Sequence, residues 1–268
     1  MDLWWVYLLV GTVIGFMSGL LGIGGGMVLV PILLYTFGLQ GPESGFPQAH
    51  LMHMALATSM ATIPFTTASS MRAHHARGGI SWNIVRGMLP GLALGAALGT
   101  LVAGLVPGRP LAIFFAAFIL YAATNMFFEI KPKATRELPG RLGLGLVGTL
   151  VSFLSTFLAA GAAFLTIPFM AWCNVPLKRA VGTAAAIGFP LALAASVGYV
   201  VAGLRAGPLP QYSLGFIYLP ALAMIVAPSV LSAPLGARVS HRMPVKRLRM
   251  TFAFTLYFIA GRMIYSLW

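Results

Sequence analysis

Apolar segments alternate with short polar loops along the whole chain. The first half has such segments at residues 4–21, 27–37, 50–71, 82–106 and 111–128, and the second half has them at 142–160, 162–173, 180–203, 214–237 and 248–267. A helix of roughly 20 apolar residues spans the hydrocarbon core of a bilayer. Hydrophobic residues make up 59% of the chain and charged residues 8%, whereas soluble domains carry about 25% charged residues. The pattern predicts an all-α polytopic membrane protein.

One stretch of this pattern occurs twice. FMSGLLGIGGGMVLVP at residues 16–31 recurs as FLSTFLAAGAAFLTIP at residues 153–168, at a constant offset of 137 residues. Further matches follow in the same order, and between them the offset drifts to 125, where Thr58 corresponds to Thr183. Ordered matches with compensating gaps indicate an internal duplication.

The distribution of Lys and Arg predicts how the duplicated stretches lie in the membrane. If each stretch crosses once, the chain has eight spans, and the loops on the two sides hold 7 and 8 basic residues. If each stretch enters and returns on the same side as a hairpin, the counts become 13 and 2. Basic residues concentrate in cytoplasmic loops, so the hairpin arrangement is favoured.

Each half then contains five helical segments, an odd number, and the two halves lie in the membrane with opposite orientation. We predict two inverted repeats, a first transmembrane repeat at 1–134 and a second at 135–268, with both termini outside and the linker 129–141 in the cytoplasm. Several hairpin arms are too short to cross about 30 Å of hydrocarbon. We therefore expect broken or re-entrant hairpins whose tips meet near the bilayer midplane, an architecture that secondary transporters use.

The hairpin tips are the candidate binding site. A helix restarts at each tip, and its first N–H groups lack intrahelical partners and carry a partial positive charge. Glycines let the backbone approach a ligand, hydroxyls add donors, and Pro31 and Pro168 are expected to break or kink the restarted helices. The candidate substrate-binding residues are Ser18, Gly24, Gly25, Gly26, Thr58, Ser59, Ser155, Gly161 and Thr183. Two alternatives stay open, since glycines also allow close helix packing and hydroxyls also bond to their own helix.

Other polar residues argue against several kinds of site. His50 and His53 fall at a predicted external helix end, where an interfacial or lipid-facing position is the favoured interpretation. Cys173 is the single cysteine, which excludes an intrachain disulfide and a cysteine metal cluster. We predict no metal and no cofactor. The acidic residues are Asp2, Glu43, Glu129 and Glu137, and none of them lies deep in a span.

The net charge of +13 belongs to loops that set membrane orientation and meet the lipid bilayer, so it predicts no nucleic-acid partner. GIGGG lacks the spacing of a dinucleotide fingerprint, and the usual phosphate-loop and hydrolase motifs are missing from the sequence. An enzyme is therefore not expected. Small-residue faces such as Gly91, Gly95 and Gly99 are expected to be exposed and would allow a homodimer.

The stretches GFMSGLLGIGGGMVLVPIL, FLSTFLAAGAAFLTIPFM, GTAAAIGFP and APLGARV resemble the sulfite exporter TauE/SafE family over essentially the whole chain. The second stretch departs from the family pattern, with alanines at 159, 160, 162 and 163. The resemblance implies a multi-pass transporter of the bacterial inner membrane that exports a small sulfur-containing anion, such as sulfite, sulfoacetate or another organosulfonate. We expect alternating access, with a proton as the candidate coupling ion. The alternatives are an uncoupled anion channel or uniporter and, third, an intramembrane enzyme or assembly factor.

Overall fold

The computed structural model describes residues 4–21, 25–128, 135–240 and 245–267. Within these residues the chain forms ten α-helices and one antiparallel pair of two-residue strands. The helices are α1 (Trp4–Leu21), α2 (Gly26–Gln40), α3 (Leu51–Ala76), α4 (Trp82–Leu105), α5 (Gly108–Phe127), α6 (Arg141–Leu158), α7 (Ala163–Trp172), α8 (Leu177–Gly203), α9 (Leu219–Ser240) and α10 (Val245–Leu267). The strands β1 (Ser213–Leu214) and β2 (Ile217–Tyr218) precede α9. The predicted all-helical class is confirmed.

Two of the predicted boundaries are wrong. Helix α3 continues to Ala76 through the basic residues that were expected in a loop, and the chain then turns at Gly78, whose φ of 64° suits glycine. The span expected at 214–237 begins instead at Leu219, because residues 213–218 form the strand pair around Gly215. Both differences reflect turn chemistry rather than hydrophobicity, so hydropathy gave no signal for them.

Helices α3 and α8 form the centre of the molecule. Every residue from 51 to 64 is buried, so this part of α3 is covered on all sides. Helix α8 packs along α3, the short helix α2 packs on α3, and the short helix α7 packs on α8. The two short helices are thereby held against the central pair.

Five helices are long and apolar enough to cross a membrane by length and composition: α4, α5, α6, α8 and the part of α9 from Leu219 to Gly236. Shorter apolar helical stretches include Trp4–Ser18 and Ala163–Trp172. Large apolar side chains point outward from the bundle, with Leu105 78% exposed and Phe258 71% exposed. Such a surface suits contact with lipid chains rather than water.

Each pair of a long and a short helix begins and ends at the same end of the molecule. Near the start of α1 the Tyr7 hydroxyl accepts a hydrogen bond from Gln40 Nε2 at the end of α2 (2.6 Å). Ahead of α6, the backbone N–H groups of Thr135 and Arg136 both donate to the carbonyl of Trp172, the last residue of α7 (3.2 Å). The α1–α2 and α6–α7 segments are therefore hairpins.

The most extensive helix contacts pair α1 with α9 and α6 with α4. In the first pair Gly11 lies so close to the carbonyl of Ile225 that a side chain would collide with it. In the second pair Gly148 lies in the same way against the carbonyl of Met88. Both partners are related by the offset of 137 residues, so the two contacts are equivalent.

The small-residue face of α4 is not exposed, which corrects the expectation for Gly91, Gly95 and Gly99. All three are buried against α6. Gly91 faces the carbonyl of Gly145, and Gly95 faces Thr149. Small residues let two helix backbones approach closely, and here that approach occurs within one chain. This face therefore offers no surface to a second copy.

Candidate functional site

The two hairpin tips have the same local backbone geometry. Helix α2 starts after Gly25, whose carbonyl accepts the N–H of Val28 (3.2 Å). Helix α7 starts after Ala162, whose carbonyl accepts the N–H of Leu165 (3.2 Å). Donor and acceptor are both shifted by 137 residues between the tips. The first N–H groups of α2 and α7 extend beyond the start of each helix, where its dipole is positive.

The two tips are in direct contact. Gly26, the first residue of α2, faces the carbonyl oxygen of Ala159 so closely that a Cβ atom at position 26 would collide with it. Ala159 has a left-handed backbone conformation (φ 41°, ψ 30°), which costs an alanine about 1 kcal/mol. Residues 159–163 are all buried, and this packing holds the unfavourable turn. A glycine at position 26 and a strained alanine at 159 together bring the starts of α2 and α7 to one point.

Two serines lie at this junction. Ser59 Oγ, on α3, donates a hydrogen bond to the Gly26 carbonyl (3.1 Å). Ser155 lies one turn before Ala159 on α6 and is fully buried, and its Oγ has no hydrogen-bond partner among the described residues. Leaving a buried hydroxyl unpaired costs about 1–3 kcal/mol. The unpaired hydroxyl therefore favours a bound ligand at the junction.

The remaining tip residues contribute in different ways. Ser18 is half-buried on α1, and Gly161 is buried with its carbonyl accepting the Phe164 N–H (3.4 Å). Gly25 lies against the Ile14 side chain, where a Cβ atom would collide. This glycine is thus required for packing whether or not a ligand binds. Gly24 lies outside the described residues.

Thr58 and Thr183 connect helices of different halves. The Thr58 hydroxyl, on α3, accepts the backbone N–H of Tyr218, the residue before α9 (3.0 Å). The Thr183 hydroxyl, on α8, accepts the backbone N–H of Ser81, the residue before α4 (2.9 Å). Both threonines are fully buried. Each therefore satisfies a donor at a helix start, a role that was not among the sequence-based interpretations.

Neither proline ends its helix. Helix α2 continues through Pro31 to Gln40, and α7 continues through Pro168 to Trp172. Each ring still removes one backbone donor, so one carbonyl in the preceding turn lacks its usual partner.

His53 is buried inside the protein, and the interfacial or lipid-facing interpretation is wrong for it. It is 2% exposed, and its Nε2 lies 2.9 Å from the carbonyl oxygen of Ala103 and 3.0 Å from that of Val106. Carbonyl oxygens only accept, so Nε2 carries the hydrogen and satisfies carbonyls at the end of α4. The ring of Phe216 stacks on the imidazole at 5.2 Å. The sequence gave no sign that the loop before α9 folds over this histidine.

Other chemistry finds little support. Among the described residues no group of three or more His, Cys, Asp or Glu side chains is placed to hold a metal ion. None of the ten helix ranges contains an Asp or Glu. The polar groups at the tips are thus backbone amides and hydroxyls, which suit an uncharged or anionic ligand.

Comparison with known proteins gives a consistent result. The family model described as "Sulfite exporter TauE/SafE" matches residues 7–263. A "Probable membrane transporter protein" of Haemophilus influenzae is 35% identical over 257 residues, covering 96% of each chain. A protein with the same description from Methanocaldococcus jannaschii is 26% identical over 91% of this chain and 88% of its own.

No solved structure matches the chain. The similarity extends from α1 to α10, and the relatives are named as membrane transporters. Together with the apolar helices, it identifies a multi-pass membrane protein of transporter type. The chain belongs to the sulfite exporter TauE/SafE family.

Proposed function

We propose that this protein is a secondary transporter that moves a small sulfur-containing anion, such as sulfite or an organosulfonate, out of the cell by alternating access. The observation that carries the proposal is the meeting of two buried helix starts, α2 at Gly26 and α7 at Ala163. Helix N-termini bind anions through free N–H groups and the helix dipole. Discontinuous helices of this kind form the substrate sites of many secondary transporters.

Ser155 and the tip amides form the centre of the proposed site. The unpaired Ser155 hydroxyl can donate to an anion oxygen without giving up a bond within the protein. Ser18, Ser59, Gly24, Gly25 and Gly161 surround the tips in sequence. Thr58 and Thr183 belong to the proposed site less directly, because each hydroxyl already accepts a backbone N–H.

The proposed arrangement is two inverted repeats, 1–134 and 135–268. The hairpin contacts support it, since Tyr7 meets Gln40 at one hairpin base and Thr135 meets Trp172 at the other. Each half then consists of one returning hairpin and three crossing helices, and an odd number of crossings inverts the second half. Equivalent contacts at the offset of 137 support two similar conformations, related by exchange of the roles of the halves.

The membrane potential supplies a driving force for export in this scheme. A negative interior favours an outgoing anion by about 2.3 kcal/mol per charge for each 100 mV. The sulfur chemistry of the substrate rests on the family's description, since backbone amides and hydroxyls recognise small oxyanions in general. We place the protein in the bacterial inner membrane with a proton as coupling ion.

The test is uptake of labelled sulfite and of a small organosulfonate into proteoliposomes, with and without an imposed pH gradient. We expect accumulation above equilibrium when the gradient is present. Equilibration without accumulation would instead identify an uncoupled channel or uniporter. If neither anion moves, the proposed substrate class is wrong.

A further inference from the structure

A groove runs along the outer surface between α4 and α8, away from the hairpin tips. Its volume is about 490 Å³. Ala97 and Gly104 line it on the α4 side, and Ala194 and Val201 line it on the α8 side. Large apolar side chains such as Leu105, 78% exposed, stand beside it. Small residues thus form a recess within a surface that is otherwise built from bulky apolar residues.

The dimensions of the groove fit one lipid chain. Its α4 lining extends from Ala93 to Leu105, a helical rise of about 18 Å. The hydrocarbon of one leaflet is roughly 15 Å deep, half of a 30 Å core. A helix of that length and a diameter of about 10 Å would fill roughly 1,400 Å³, far more than the groove offers. The recess therefore admits an acyl chain and is too narrow for a helix of a second copy.

One end of the groove is basic. Arg205 and His50 line it just beyond the ends of α4 and α8. No acidic side chain is among the lining residues. The Nδ1 atom of His50 is buried and has no hydrogen-bond partner among the described residues. The end at headgroup level thus presents a guanidinium cation and an unpaired imidazole nitrogen, which together suit a phosphate.

We propose that this groove binds an anionic phospholipid. One acyl chain lies in the apolar recess between α4 and α8, and the headgroup phosphate contacts Arg205 and His50. The apolar recess contributes affinity for any lipid chain, whereas Arg205 contributes the preference for a negatively charged headgroup.

The test is native mass spectrometry of the full chain with phosphatidylglycerol and phosphatidylcholine added in equal amounts. The wild-type chain should retain one phosphatidylglycerol in preference to phosphatidylcholine. Arg205→Gln should weaken phosphatidylglycerol retention about fivefold, the usual contribution of one basic residue at a membrane surface. Ala97→Phe should abolish retention of this lipid, because the larger side chain fills the recess.

Two control variants change similar residues elsewhere on the surface. Arg262→Gln alters an exposed cation on α10, and Ala117→Phe enlarges an exposed residue on α5; both should retain the lipid like the wild type. Equal retention of the two lipids, or equal behaviour of Arg205→Gln and Arg262→Gln, would overturn the proposal. Displacement of the lipid by inorganic phosphate would indicate a site for free phosphate instead. A dimer that Ala97→Phe converts to a monomer would show that the groove is an interface between copies.

Discussion

Ser155 distinguishes a binding role from a packing role more sharply than any glycine at the tips. Gly25 and Gly26 both lie against neighbouring atoms where a Cβ atom would collide, so a substitution at either position disturbs packing as well as a ligand. The Ser155 hydroxyl has no protein partner among the described residues. Its removal therefore changes little in the protein except the capacity to bond to a ligand.

We predict that Ser155→Ala weakens anion binding about two- to tenfold, the value of one hydrogen bond of roughly 0.5–1.5 kcal/mol. Thermal stability should be unchanged or slightly higher, because an unpaired buried hydroxyl is lost. The control is Ser152→Ala, one turn earlier on α6, where the hydroxyl donates to the Leu92 carbonyl (2.8 Å). That variant should lose about 1 kcal/mol of stability and keep its anion affinity. Unchanged anion affinity in Ser155→Ala would contradict a substrate role for this hydroxyl.

At the scale of elements, Thr58 and Thr183 show how the two halves hold each other. Each threonine lies on a central helix of one half and binds the N–H that precedes a helix of the other half. The acceptors differ by 125 residues in sequence and the donors, Tyr218 and Ser81, by 137. The two hydrogen bonds are therefore equivalent and cross the boundary between halves in opposite directions.

We predict that Thr58→Val and Thr183→Val destabilise the protein by similar amounts. Each leaves a backbone N–H unpaired, at a cost of about 1–3 kcal/mol. Thr12→Val is the control, because that exposed hydroxyl bonds only to the Leu8 carbonyl of its own helix (2.9 Å). Thermal unfolding in one detergent measures all three variants. A large loss for one buried threonine and none for the other would mean that the two contacts are not equivalent.

The helices were predictable from sequence because hydropathy and the repeated stretch act locally. Segments expected at 82–106 and 111–128 occur as α4 and α5 with ends shifted by at most a few residues. The partners of each helix were not predictable. Gly91 looked like part of an exposed face, yet it packs on Gly145 of the other half, and hydropathy does not distinguish a lipid from an apolar helix.

The candidate site was predictable only in part. The repeated Gly/Ser stretch located both tips, and Gly26 lies at their contact. The left-handed turn at Ala159 and the burial of His53 under Phe216 depend on long-range packing. Single-sequence patterns carry no information about such contacts between distant segments.

At the scale of the whole molecule, the loops separate into two groups at opposite ends. At one end the loop after α2 meets the loop before α9, where the rings of Phe46 and Tyr218 lie 5.2 Å apart. At the other end the residues before α6 meet the end of α7, where Asn174 Nδ2 donates to the Arg136 carbonyl (3.2 Å). Most basic loop residues fall at the second end, which should therefore face the cytoplasm.

The central claim is that each repeated stretch forms a returning hairpin and that the two hairpins enter from opposite sides. Labelling of single cysteines in intact cells with a membrane-impermeant reagent tests it most directly. The positions are Glu43 and Tyr212 at one end and Glu137 and Asn174 at the other, all exposed. Cys173→Ser serves as the background, although burial already raises the pKa of the Cys173 thiol, against the opposing effect of Arg136, and so slows its labelling near neutral pH.

We predict that cysteines at 43 and 212 are labelled from outside and that those at 137 and 174 are labelled only after the membrane is permeabilised. Positions 137 and 174 flank the second hairpin, so they must lie on the same side if it returns. Labelling of one of these two positions from outside while the other stays protected would mean that the stretch crosses the membrane. That result would contradict the opposed hairpins and the anion site proposed at their tips.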